Sequence, residues 1–336
     1  MLDIFDKFQQ KDQLLCCSIC SPINFNVKLN FNMFWVLVMK KVIKVAGYQG
    51  ENSVHTRSVN FFINKLSNIF DFKYEKDITS LGKKASSLIE STRCNDIQLS
   101  YLWSSYYENL IPEIQLLDLP FYFKNKNEVK SLINNHFNNF ISEKLEKNLN
   151  LKLLGFWDNG ARHISTNQSF IHNKNSCSEL RIRTTPSELH INIFNKLGFV
   201  SCPLDVRDFK KALTNNEIDA QENPLTNFWN FGVHNSQKYL TLSSHLFGFC
   251  LFVINDSFFS KLTKQEQKII LEASKQTISY QYTLAEDDDN KLIDMIKKEN
   301  VQIYEMSDFE KNDFLENVKE FHNNFFLKYP NMNFKN

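Results

Sequence analysis

One stretch limits the possible folds more than any other: between residues 42 and 105, short strand-like runs alternate with segments of helical hydrophobic period. Residues 42–46 read as a strand and 47–53 as the loop after it. A helix is expected over 55–68, where Val59, Phe62, Ile63 and Leu66 recur at spacings of three, one and three and so share one helical face. Residues 70–76 read as a second strand, 83–92 as a second helix with Ala85, Leu88 and Ile89 inward, and 97–102 as a third strand. A βαβαβ order calls for a parallel sheet with covering helices. Ligands of such open sheets bind beyond the carboxyl ends of the strands, which puts the loops 49–55 and 103–106 at a candidate mouth.

The alternation resumes after a helical stretch at 128–147. Strands are expected at 152–157, 181–183 and 249–254, and helices at 187–197, 205–213 and, at unusual length, 263–300. Ser187 stands where an N-cap belongs and Gly198 where a helix stops. At 336 residues the chain exceeds the size at which single cores stop growing. The separated βα units point to two lobes, each built from distant parts of the chain; a single barrel is the other arrangement this length admits.

Composition removes several function classes. Lys+Arg 39 against Asp+Glu 38 leaves a net charge of +1 with no long basic run, so the footprint of a nucleic-acid binder is missing. The seven cysteines are Cys16, Cys17, Cys20, Cys94, Cys177, Cys202 and Cys250; only the first three cluster, no pair repeats at zinc spacing, and they read as small buried thiols. There is no GxSxG elbow, Walker loop, GxGxxG or HExxH, and His55, His163, His190 and His245 have no metal-ligand spacing. A non-enzyme is therefore expected, without catalytic residues, metal or cofactor. Residues 1–40 read as an N-terminal extension or a degraded signal peptide. Asn24, Asn26, Asn30 and Asn32 interrupt their apolar residues, so no transmembrane helix fits, and Lys40 and Lys41 stand where a cleavage site wants small residues. A start at Met33 or Met39 fits equally.

Five further segments follow one another in a telling order. Residues 111–113 (IPE) run on to 117–121 (LDLPF); 155–160 (GFWDNG) precede Arg162; then come 180–183 (LRIR), 219–224 (DAQENP), and 238–240 (KYL) with His245. From about Val42 to Tyr329 the chain resembles the substrate-binding proteins of tripartite ATP-independent periplasmic (TRAP) transporters, the DctP-type receptors. The resemblance implies an α/β, two-lobed periplasmic-binding-protein-like fold with a hinge and a long C-terminal helix. Lobe I would comprise residues 41–159 plus 249–287 and lobe II 160–248 plus 288–336. It also implies a periplasmic transport receptor that captures a small organic carboxylate and delivers it unchanged to TRAP membrane subunits. A cytoplasmic or sensory module reusing the fold, and behind it an enzyme, are the alternatives.

In that family an arginine in the position of Arg183 forms a salt bridge with the ligand carboxylate, a task suited to a guanidinium fork that stays charged at any relevant pH. Arg162 takes the family's second arginine position and Asn223 that of an amide partner. Each has a structural alternative: Arg162 bracing the hinge or pairing with Asp158 or Glu222, Asn223 shaping a turn before Pro224. Glu222 is expected to hold an arginine, because it would repel an anionic ligand. The opposing wall should come from the strand ends, through Gln49, Glu51, Ser53, Trp103, Ser104 and Ser105. Trp103 and Trp229 are candidates to pack on a ligand's carbon skeleton, although large aromatics fill cores more often than they line pockets. Val206 stands where several relatives carry an aromatic residue over the ligand, so ligand shape does not carry over from them.

Overall fold

The computed structural model describes residues 40–334; the N-terminal extension with Cys16, Cys17, Cys20, Met33 and Met39 lies outside the described residues. The strands are β1 (Lys41–Ala46), β2 (Phe70–Glu75), β3 (Leu99–Trp103), β4 (Leu151–Thr166), β5 (Arg181–Thr184), β6 (Val200–Pro203), β7 (Ala220–Pro224), β8 (Tyr239–Asn255) and β9 (Gln302–Glu305). The α-helices are α1 (Val54–Leu66), α2 (Ser87–Arg93), α3 (Lys126–Leu132), α4 (Asn138–Leu149), α5 (Lys174–Cys177), α6 (Glu188–Lys196), α7 (Val206–Thr214), α8 (Leu225–Asn230), α9 (Asp256–Ser260), α10 (Lys264–Lys298) and α11 (Asp308–Lys328).

The opening βαβαβ unit is present, with β1 parallel to both β2 and β3. Ser53 caps α1 by accepting from the Thr56 N–H, as Ser187 caps α6 by accepting from the His190 N–H. The helix expected over 128–147 is divided: α3 and α4 are separated by one π-helical turn at Ile133–Phe137.

The larger correction concerns two strands. Expected at 152–157 and 249–254, β4 and β8 run for 16 and 17 residues and pair antiparallel along their length. The strand expected at 152–157 does not end at Asp158, Asn159 and Gly160; the ribbon only shifts register there and continues. The backbone at Asp158 is held from the side, while Asn159 Nδ2 is buried without a partner among the described residues. Gln281 on α10 accepts from the Asp158 N–H at 2.8 Å and donates to the Asp158 carbonyl at 2.6 Å, while Asp158 Oδ1 accepts from the Gly160 N–H at 2.8 Å. Lys126 on α3 reaches Asp158 at 2.9 Å and Asp289 on α10 at 3.2 Å.

This ribbon carries two half-sheets. The sheet order is β2-β1-β3-β8-β4-β7-β5-β6, with β9 also beside β8. β3 pairs with the C-terminal part of β8, from Cys250 to Ile254, whereas β9 pairs with its N-terminal part and β7 with residues 162–166 of β4. Two apolar clusters fill the core, the larger extending from the first half-sheet across the ribbon to α7 and α8 through Phe209 and Phe228. One gathers Val45, Phe62, Leu102 and Trp157 with their neighbours, and the other Ile164, Ile182, Phe194 and Phe314. The 35-residue α10 crosses the ribbon closely: Ser274 Oγ donates to the Leu154 carbonyl, and a Cβ on Gly155 would fall 2.4 Å from Ile278 Cδ1. Of the four described cysteines, Cys177 and Cys250 are buried free thiols, as the sequence suggests, while Cys94 is exposed and Cys202 partly so. No described helix is long and apolar enough to cross a membrane.

Gly160 holds φ at +91°, and a Cβ there would lie 2.9 Å from Pro224 Cβ and 3.5 Å from Asp289 Oδ1. Gly160→Ala is expected to destabilise the protein by about 1–3 kcal/mol, combining left-handed backbone strain with a contact between β4 and β7 that cannot relax by turning a side chain. A lower urea midpoint at unchanged m-value checks this.

Candidate functional site

Three neighbouring strands bring together the residues expected to meet an anion. Arg162 on β4 stands opposite Pro224 on β7, next to Asn223, and Arg183 on β5 stands opposite Gln221 on β7. All three side chains are buried. The two arginines nevertheless occupy different electrostatic environments.

Arg162 is fully paired. Its Nε donates to Glu222 Oε2 at 2.5 Å and its Nη2 to Glu222 Oε1 at 2.7 Å, with further bonds to the Glu222 carbonyl at 2.9 Å and Asn223 Oδ1 at 3.4 Å. Its guanidinium carbon lies 3.9 Å from the centre of the Trp103 ring, a cation–π contact. Of the two partners the sequence allows, Arg162 takes Glu222; Asp158 goes to Lys126. His245 completes the group, with Nε2 3.4 Å from Glu222 Oε2 and Nδ1 2.8 Å from Ser243 Oγ. Burial alone would raise the Glu222 carboxyl, but the Arg162 guanidinium overrides it and holds it well below the usual carboxylate range.

Arg183 has no such partner. Among the described residues Arg57, Arg93, Arg162, Arg181 and Arg207 each meet a carboxylate within 4 Å; Arg183, only 2% exposed, does not. Its Nε and Nη2 both donate to one backbone carbonyl, that of Leu204, at 3.0 and 2.7 Å, and its carbon lies 5.1 Å from the Phe209 ring centre. Burial pushes this guanidinium below its ordinary value. A desolvated cation without a counter-ion is costly.

The facing wall comes from the ends of β1 and β3. Gln49 is buried; its Nε2 donates to the Tyr48 hydroxyl at 3.0 Å and to Asn159 Oδ1 at 3.2 Å, leaving Oε1 without a partner. Trp103 Nε1 and the hydroxyls of Ser104 and Ser105 are likewise buried and unpartnered among the described residues. Asn223 is held by its neighbours, donating to Gln221 Oε1 at 2.5 Å and accepting from Asn227 Nδ2 at 3.3 Å. A cleft of about 490 Å³ is lined on one side by Lys84, Ser105, Tyr106 and Glu108 and on the other by Thr185, Ser187, Asp205 and Leu204, whose carbonyl holds Arg183; of the anticipated residues only Ser105 lines it. A larger groove of about 680 Å³, between residues 116–136 and 332–334, holds none of the anticipated residues.

Two anticipated residues lie elsewhere. Glu51 is 64% exposed and pairs with Lys76, because Gly50, at φ +82°, turns the chain so that Gln49 faces in and Glu51 out. Trp229 stacks on His234 with ring centres 4.4 Å apart and lines a surface groove together with Glu51. Sequence reasoning missed Glu108, which lines the cleft just beyond the 103–106 loop placed at the mouth. Its place past the end of β3 was the available signal. No group of three or more described His, Cys, Asp or Glu residues has the geometry to hold a metal ion.

With this geometry in place, comparison with known proteins becomes informative. The family model of bacterial extracellular solute-binding proteins, family 7 (DctP), matches residues 71–329. The chain belongs to this family. Among its relatives is the C4-dicarboxylate-binding protein DctB of Bacillus subtilis (strain 168), 28% identical over 280 residues, covering 82% of this chain and 80% of DctB. The 2,3-diketo-L-gulonate-binding periplasmic protein YiaO of Escherichia coli (strain K12) is 28% identical over 225 residues, 67% of this chain and 68% of YiaO. Among solved structures, the sugar acid binding protein DctPAm from Advenella mimigardefordensis strain DPN7T, in complex with galactonate, superposes with a TM-score of 0.82 at 22% identity, covering 86% of this chain and 94% of that one. The fold is therefore the two-lobed α/β architecture of DctP-type TRAP receptors.

Within this DctP fold, the Arg162–Glu222 pair joins β4 to β7 in the interior. Glu222→Gln leaves the Arg162 guanidinium buried without its counter-charge, with an expected loss of about 3–5 kcal/mol of stability. Chemical denaturation at neutral pH reads it directly, and a loss under 1 kcal/mol would contradict the arrangement.

Proposed function

We propose that this chain is an extracytoplasmic receptor that binds a small organic carboxylate between two lobes and delivers it to the membrane subunits of a TRAP transporter. The observation that carries the reading is Arg183: a buried guanidinium, pre-positioned by the Leu204 carbonyl, with no carboxylate of its own. A ligand carboxylate supplies the missing anion by a forked pair of charge-assisted hydrogen bonds. Asn223 lies within reach of the same end of the site, and Arg162, held by Glu222, lends its field without being free to rotate away. The unpartnered groups of Gln49, Trp103, Ser104 and Ser105 on the opposite wall are then the ones that choose the rest of the ligand. Relatives that bind a C4-dicarboxylate, a diketogulonate and galactonate all bind carboxylates, which supports this chemistry.

The lobes of this receptor are residues 41–159 plus 249–287 and 160–248 plus 288–336. The two half-sheets favour that division, with the β4–β8 ribbon and α10 crossing between them. A ligand touching both walls favours the closed form by its differential affinity for it, and membrane subunits that recognise that form receive only loaded receptor. Periplasmic location follows from the same role and from the family.

A thermal-shift screen of organic acids against the wild-type protein and Arg183→Ala tests the reading. A ligand at about 100 times its Kd should add roughly 2.7 kcal/mol, a shift of several degrees. Loss of Arg183 should cost about 2–5 kcal/mol of binding, a roughly 30-fold to several-thousand-fold weaker Kd. Equal affinity of the variant would remove Arg183 from the site, and no shift with any acid would remove the function.

A further inference from the structure

Two carboxylates span the cleft in opposite directions. Glu108, at the end of the turn that follows β3, is 3% exposed. It accepts from Ser187 Oγ at 2.7 Å and from the Glu188 backbone N–H at 3.0 Å, at the N-terminus of α6. Gln115 steadies it from its own side at 3.3 Å. In the other direction Asp205, the cap of α7, accepts from the Ala85 backbone N–H ahead of α2 at 3.2 Å as well as from its own helix at Arg207. Arg207 Nη1 reaches the Gly82 carbonyl at 3.3 Å beside it. Glu108 and Ala85 belong to the wall carrying Gln49 and Trp103; Ser187 and Asp205 belong to the wall carrying Arg183.

The two contacts share further features. Both acids line the cleft, and neither meets a lysine or arginine side chain within 4 Å among the described residues. Tyr107, beside Glu108, belongs to the first apolar cluster and Ile193 and Phe194 of α6 to the second, whereas Ala85 and Phe209 of α7 share the first. An N–H at a helix start is a good partner for a carboxylate, because the helix dipole adds to the hydrogen bond. When the walls separate, each acid and each N–H returns to water. The contacts therefore contribute to the closed form alone.

We propose that Glu108 and Asp205 are positioning residues of this receptor: reciprocal clasps that hold the closed cleft and set how slowly ligand leaves, without touching it. The inference rests on reading the cleft as the ligand site. A contact formed only after closure raises affinity by stabilising the closed complex, and its effect falls on release more than on capture.

The test measures association and release rates, by surface plasmon resonance on the full chain, for Glu108→Ala, Ser187→Ala, their combination and Asp205→Asn. D-galactonate and succinate are the probes. Release from Glu108→Ala and Ser187→Ala is expected to quicken on the order of 10-fold, as for loss of a charge-assisted bond. Association should change less than twofold, and the double variant should be little worse than Glu108→Ala, because Ser187→Ala removes one of the two bonds that Glu108→Ala removes. Asp205→Asn should also release faster, since an amide keeps the α7 cap while weakening the acceptor for Ala85. Unchanged release in Glu108→Ala, or effects of Glu108→Ala and Ser187→Ala that simply add, would overturn the proposal, provided urea midpoints confirm folding. If neither probe binds the wild-type protein, the receptor reading is at fault for those acids, and small-angle scattering of the unliganded protein decides on the clasps. A larger radius of gyration for Glu108→Ala combined with Asp205→Asn supports them, and an unchanged radius refutes them.

Discussion

Everything else in this structure hangs on the antiparallel pairing of β4 with β8. Two strands of 16 and 17 residues are long for a globular protein, where strands commonly run five or six. Their length lets one hydrogen-bonded ribbon serve as the centre of two half-sheets, so the two apolar clusters are joined by backbone rather than by a loose linker. A continuous ladder resists shear but can twist and bend at bulges, and the ribbon changes register at Leu153/Gly155, Asp158/Gly160 and Arg162/Ile164. The middle shift is the one backed by α10 through Gln281 and by Lys126.

The ribbon also explains the unequal fates of the arginines. Arg162 is on β4 itself, close to the bulged segment, and its charge is neutralised within the protein by Glu222 on the adjacent strand. A free cation there would burden the ribbon in every state of the molecule. Arg183 is two strands further out, on β5, where its guanidinium is fixed by a single carbonyl and its charge is left for something else to neutralise. Arg162 thus belongs to the framework, and Arg183 is the arginine proposed to meet the ligand. Substituting lysine for Arg183 would not preserve this, since a point charge cannot hold the Leu204 carbonyl and present a planar fork together.

Much of this was legible in the sequence, and the parts that were not share a cause. The βαβαβ opening, the capped helix after Ser187 and the long C-terminal helix are local patterns, set by hydrophobic period and by capping residues. The order of short motifs from residue 111 to 245 was enough to point to the DctP receptors, and with them to Arg162, Arg183 and Asn223. The lengths of β4 and β8 were hidden because Asp158, Asn159 and Gly160 are turn formers, and Asp158 is held by Gln281 and Lys126, residues far away in the chain. Glu51 was misplaced for a related reason: whether a loop residue faces in or out depends on the sign of φ at Gly50. Glu108 escaped notice because nothing in its neighbourhood of the chain announces that its carboxylate reaches the start of a helix 80 residues later.

The same geometry separates two properties that a binding protein must reconcile. In the proposed receptor, affinity for the ligand's class is concentrated in one uncompensated charge on β5, whereas the stability of closure is spread over contacts between the walls that the ligand does not make. If closure drew only on ligand contacts, a tight binder would necessarily be slow to release in proportion to every bond it made. Wall-to-wall hydrogen bonds add a term common to all ligands, so that the groups around Gln49 and Ser105 can be exchanged for a new specificity without retuning the hinge. They also limit how far closure can be favoured. Stronger clasps would close the cleft on nothing, because only the difference between the ligand's affinities for the two forms makes the closed state report that a ligand is present.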